Sequence, residues 1–189
     1  DAMAISGGSA ASMQAALDEL IRQGRPPEDF ELFLTDARPD IAEAALLHMQ
    51  RTNPERAAAV FARTLADSDD PKGALVALLR ASLRTDISRF LAVAAPQFEK
   101  LLDEPDQELV GLAARLTLAG SSVAERAGAL SDTGSVDALY AVLEAGVQTS
   151  TSLPALYSEA LDHDLTMLRV AGAIGLLATG AATANGSAE

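Results

Sequence analysis

His163 stands between Asp162 and Asp164, the arrangement in this chain that comes nearest to a metal or general-base site. A carboxylate beside an imidazole can orient it as a base or join it as a metal ligand. Adjacent residues point in different directions, however, and the other histidine, His48, is far away in sequence. The segment therefore reads as a turn between helices, with one aspartate capping the free N–H groups of the next helix. His48 falls on the helix face of Ile41, Ala44 and Ala45 and reads as a packed core residue. Asp67, Asp69 and Asp70 begin like a calcium loop, but Pro71 and Lys72 stand where an oxygen ligand and a tight-turn glycine are needed. Glu159 and Asp162 have the spacing of an acid–base pair, and equally that of two solvated charges on one helix. No GxSxG elbow, GxGxxG loop or P-loop occurs. No catalytic residue, metal ligand or cofactor is assigned.

The charge balance narrows the partners. Twenty-seven acidic residues against fourteen basic ones give a net charge of −13. Such a field repels phosphate backbones and anionic lipid heads, and the arginines are spread singly rather than in a stripe. This points away from nucleic acid and towards a protein or peptide partner with a basic or apolar surface. With no cysteine, disulfides and thiolate chemistry are excluded. The charge-free stretch 170–184 is shorter than a membrane span and holds three glycines, so it reads as a buried helix followed by a tail. A terminal helix this apolar also favours further repeats or a docking partner, because end repeats usually carry a polar cap.

The elements that must position these residues are helices. Alanine and leucine dominate, aromatics are 4%, and tryptophan is absent, a composition rich in helix formers and poor in strand formers. Pro26, Pro27, Pro39, Pro54, Pro71, Pro105 and Pro154 each precede an apolar stretch at helical spacing, where proline suits the first turn. Pro96 either kinks a helix or opens one. Paired up, the stretches make about five helix hairpins whose second helices begin near 40, 71, 106, 135 and 164, with the helix around Phe90 read as an insertion. A shift of sixty residues lays Val110 on Val170, Ala113 on Ala173, Leu116 on Leu176 and Gly120 on Gly180. A fixed period of this size marks a solenoid. The expected layout is a flexible or vector-derived lead-in at 1–12, one helical-repeat domain at 13–180, and a flexible tail at 181–189.

The segment DHDLTMLRVAGAIGLLATG resembles the second half of a short, bacterial-type HEAT repeat. The matching positions are Asp162 and Asp164, then Leu168 and Arg169, Ala171 and Ala173, and Gly180. EPDQELVGLAARLTLAG is a weaker copy with Leu109 where the arginine would sit, and ARPDIAEAALLHMQRTNP is weaker again. A tetratricopeptide array is the rival, and the missing tryptophan and 34-residue period count against it. The resemblance implies an all-α right-handed superhelix whose second helices line a concave binding face, and a non-catalytic interaction scaffold. On that expectation Arg80, Arg84, Glu108, Arg115, Tyr140 and Glu144 are the partner-binding candidates, tyrosine and arginine being common at interface hot spots. The alternative is an enzyme or carrier on the same scaffold. The paired His–Glu motifs of the HEAT-like hydroxylase are missing, and the acidic charge opposes the HEAT-like glycosylase. A bilin lyase-like carrier would draw on Tyr140, Tyr157, Arg115 and Arg169.

Overall fold

In the computed structural model, which describes residues 9–36 and 38–180, the helices begin close to where the prolines and capping residues place them. The described residues hold eleven α-helices and no strand. They are α1 (Ala10–Arg22), α2 (Glu31–Leu34), α3 (Pro39–Thr52), α4 (Pro54–Asp67), α5 (Lys72–Ser82), α6 (Ser88–Leu101), α7 (Gln107–Ala119), α8 (Val123–Ser131), α9 (Val136–Gln148), α10 (Pro154–Leu161) and α11 (Thr166–Ala178). Residues 1–8 of the expected lead-in and all of the expected tail lie outside the described residues. Residues 10–12, assigned by sequence to the lead-in, already belong to α1, because Ser9 caps its first turn by accepting from Ser12 N–H.

The starts follow local chemistry. Pro39, Pro54 and Pro154 occupy the first helical position, where no N–H is missed. Asn53, Asp106 and Ser135 accept from backbone N–H groups of α4, α7 and α9, satisfying donors that have no partner within the helix. Three prolines depart from the expectation, the first being Pro71, which is the N-cap residue of α5 rather than its first helical residue. Pro105 precedes the cap Asp106 rather than opening α7. Pro96 lies inside the continuous α6, so no separate helix opens there. The stretch around Phe90 and the stretch after Pro96 are therefore one helix rather than two.

The chain divides into two compact units, Asp1–Glu99 and Lys100–Glu189. In the first, α3 lies against α4 and α5. Its core gathers Phe30, Phe33, Leu46, Met49 and Phe61, and the rings of Phe61 and Phe90 meet edge to face at 6.0 Å. In the second, α9 lies against both α7 and α11, while α8 packs on α9 and α10 on α11. Val110 and Ala114 of α7, Leu130 of α8 and Ala138, Ala141 and Val142 of α9 form one cluster. Leu143, Tyr157, Ala160 and Leu168 form the next. No helix among the described residues is long and apolar enough to cross a membrane.

Candidate interaction face

The row α7–α9–α11 brings half of the sequence-predicted residues together. Arg115 in the third turn of α7 reaches across to Glu144 of α9, with Nη1 2.7 Å from Oε2. Its guanidinium carbon lies 5.8 Å from the centroid of the Tyr140 ring, within the range where a cation is attracted to the ring face. Tyr140 and Glu144 are one turn apart on α9, so a single arginine can engage both. All three side chains are half-buried. Glu108 is exposed in the first turn of α7, beside the capping Asp106.

Arg80 and Arg84 belong to the first unit. There Arg80 Nη1 lies 2.5 Å from Asp40 Oδ1, and Arg84 Nη1 lies 2.9 Å from the buried Glu43 Oε1. The Arg84 contact is an ion pair without hydrogen-bond alignment, because Glu43 Oε1 has no bonded donor. Arg80 therefore ties α5 to α3, and Arg84 ties the turn just past the end of α5 to α3, a task that charge and composition alone do not reveal.

Between α9 and α11 runs an open groove of about 410 Å³. Tyr140, Glu144 and Val147 line it from α9, and Met167, Val170 and Ile174 from α11. The spacings of four and three residues, and of three and four, put each trio on one helix face. Apart from Glu144 these walls are uncharged. Met167, Val170 and Ile174, with Leu177 in line beyond them, are exposed large apolar side chains. The missed signal was present in the sequence as this 3-4-3 spacing inside a charge-free stretch. The same spacing also describes a core-facing stripe, and it is the absence of a described neighbour on that side of α11 that exposes it.

A larger cleft in the first unit, about 790 Å³, is lined by Glu19, Glu28, Glu31 and Asp67 together with Arg25 and Arg63. Its charges are mostly spent within the unit: Arg63 pairs with Glu31, Arg25 with Asp29, and Arg56 with Glu28. The bond from Arg56 holds the Glu28 carboxyl below the ordinary carboxylate range.

The candidates for chemistry do not converge. His163 closes the turn before α11: its Nδ1 accepts from Leu165 N–H at 3.1 Å, and its carbonyl accepts from Arg169 at 3.0 Å. The expected aspartate cap is not formed: the N-cap residue of α11 is Leu165, without a side-chain capping bond, and Asp162 sits at the C-terminal end of α10. His48 packs against Phe30, with ring centroids 5.1 Å apart, and burial depresses its pKa. No group of three or more His, Asp or Glu side chains among the described residues is placed to hold a metal ion. Of the four residues named for a chromophore, Tyr140 and Arg115 meet. Tyr157 is buried with its hydroxyl donating to Thr151 O at 3.0 Å. Arg169 donates to the carbonyls of His163 and Asp164. Compared with protein-family models, curated proteins and solved structures, the chain matches none.

Proposed function

We propose that this chain is a non-catalytic, HEAT-like interaction scaffold that takes a protein partner on the face made by α9 and α11. The observation that supports this reading is the solvent-facing groove walled by Tyr140, Val147, Met167, Val170 and Ile174. Large apolar side chains on adjoining helices form a contiguous patch of the kind that marks interaction sites. Tyr140 supplies the amphipathic ring that often anchors an interface, with Arg115 and Glu144 as its polar rim. A HEAT-like superhelix presents its second helices in this way. The alternation of first and second helices, with α3 against α5 and α9 against α7 and α11, is in keeping with that architecture.

The test is affinity capture from lysate with the chain as bait, beside a Tyr140→Ala/Val147→Asp variant of equal helicity. Proteins held by the natural chain and lost by the variant are the expected result. Equal capture by both removes the groove as the binding face and sinks this reading.

A further inference from the structure

The two ends of the α7–α9–α11 row differ in one respect. Shifted by sixty residues, α7 falls on α11, with Val110 on Val170 and Ala114 on Ile174. Val110 and Ala114 are 1% and 0% exposed, packed in one cluster with Ala127 and Leu130 of α8 and Ala138, Ala141 and Val142 of α9. Val170 and Ile174 are 52% and 48% exposed. Leu177, matching the buried Thr117, is also exposed. The face of α11 that corresponds to the covered face of α7 is therefore apolar and bare among the described residues.

From this register we infer that α11 is the docking site of a partner's amphipathic helix, basic on its flanks, lying across Val170, Ile174 and Leu177 as α9 lies across α7. This rests on the scaffold reading and supplies the chemistry of the partner. The apolar half of that chemistry follows from the packing. At Gly111 of α7 an added Cβ would come 2.6 Å from the Cβ of Asp137, so glycine lets α9 approach closely. The matching position on α11, Ala171, packs instead against the cluster of Leu143 and Tyr157, so a covering helix meets Val170, Ile174 and Leu177. Leucine-sized side chains bury that aliphatic stripe.

The basic half follows from charge. Residues 100–180 contain eleven acidic and four basic residues. Asp162 and Asp164 stand at the end of α11 where Met167 begins the stripe, with Arg169 as the one cation of α11, and Glu144 of the neighbouring α9 shares its charge with Arg115. A helix flanked by lysine or arginine is drawn to this surface, and one flanked by acids is repelled. A second copy of the same chain brings the same sign of charge and is disfavoured by the same argument.

The probe is a synthetic helix as long as α11, thirteen residues, with leucines spaced three and four apart on one face and lysines on the flanks. A companion peptide carries glutamate in place of each lysine. Binding is read by fluorescence anisotropy at physiological salt. The expected result is saturable binding of the lysine peptide only, weakened about tenfold or more by Val170→Glu/Ile174→Glu, the scale of unburying an aliphatic side chain. Those substitutions add negative charge, so a loss of affinity runs against the electrostatics and isolates the apolar face. Leu83→Glu/Val93→Glu is the charge-matched control, placed on exposed apolar residues of the first unit, and is expected to leave affinity within about twofold.

Equal affinity in both double variants overturns the inference, because the peptide is then held by diffuse charge. Absence of binding, or preference for the glutamate peptide, overturns it too. So does a dimer in analytical ultracentrifugation that Val170→Glu/Ile174→Glu dissociates, which would make the occupant a second copy. Any of these outcomes alongside Tyr140-dependent capture leaves the scaffold standing and removes only the helix. Loss of both removes the scaffold as well.

Discussion

Tyr157 lodges in a notch that exists because residue 175 is glycine. A Cβ at position 175 would fall inside any permitted contact distance of the Tyr157 ring, and one at Gly146 would collide with the phenolic oxygen. The ring is therefore clasped between α9 and α11, with its hydroxyl donating to Thr151 O at 3.0 Å. Burial raises its pKa, since the ionised phenolate would have to shed its water. One side of α11 is thus keyed tightly into the second unit while its other side meets solvent.

Gly175→Ala is accordingly expected to destabilise the second unit by about 1–3 kcal/mol through overpacking. Tyr157→Phe removes one hydrogen bond and leaves the Thr151 carbonyl unpaired, for about 1 kcal/mol. Urea denaturation of both variants beside the natural chain measures these losses. A Gly175→Ala protein as stable as the parent would mean that the ring does not occupy the notch.

Arg84 and Arg80 are alike in sequence reading and unlike in the structure. Glu43, the partner of Arg84, is 5% exposed, whereas Asp40, the partner of Arg80, is largely in water. Removing a cation from beside a buried carboxylate leaves an uncompensated charge, although Arg84 itself is well exposed and solvent screens part of the effect. Arg84→Ala is expected to cost about 1–2 kcal/mol, against about 0.5 kcal/mol or less for Arg80→Ala. Thermal melts rank the two, and equal losses would contradict the assignment. The restoring variant is Glu43→Gln combined with Arg84→Ala, which removes the stranded charge and recovers part of the loss.

Much of the fold was legible because helix starts are written locally: Asn53, Asp106 and Ser135 cap the helices they precede. The spacing of apolar residues then supplied the buried faces, as with Met13 and Leu17 on α1. Pro96 was ambiguous because a helix can carry proline when tertiary packing outweighs a lost hydrogen bond, and here Phe90 and Phe98 are buried on the face away from the exposed Pro96. The site was legible only in part. Arg115, Tyr140 and Glu144 lie on two neighbouring helices and do meet, but which arginine is engaged within the chain depends on which acid faces it across the interface. Asp40 and Glu43 become partners of Arg80 and Arg84 only once α3 lies against α5. The stripe on α11 reads as core by spacing, and its exposure is a property of what does not cover it.

His48 gives the first unit a pH dependence. Its Nε2 is buried without a hydrogen-bond partner, and burial first, then the nearby Arg51 charge, lowers its pKa from 6.5. The unfolded chain therefore takes up a proton as pH falls past about 6.5, while the folded one resists. Stability is complete above that pH and declines below it, down to the folded-state pKa. Asp36 acts in a lower window. The hydrogen bond from Arg38, at 2.6 Å, holds its carboxyl below the ordinary 3.8, so its contribution is present above that value and is lost as pH falls through the folded pKa. Urea midpoints at pH 7.5 and 5.5 are expected to differ in the natural chain and to converge in His48→Leu. An undiminished difference in that variant would place the titrating group elsewhere.

Pro96 supplies the last prediction. At its position the helix loses the hydrogen bond that an N–H would give to the Ala92 carbonyl, and the ring crowds that carbonyl. Both residues are exposed on α6, so water can take up the freed carbonyl and the packing of Phe90, Ala94 and Phe98 on the other face is untouched. Alanine at this position restores the donor and raises helix propensity. Pro96→Ala is expected to stabilise the chain by about 1–3 kcal/mol, the lower part of the range if α6 has already relaxed around the ring. A rise in the urea midpoint with unchanged slope is the expected observation. A fall would show that the proline sets a bend on which the burial of Phe90 and Phe98 depends, and the re-exposure of apolar surface along both turns would then outweigh the gain in propensity.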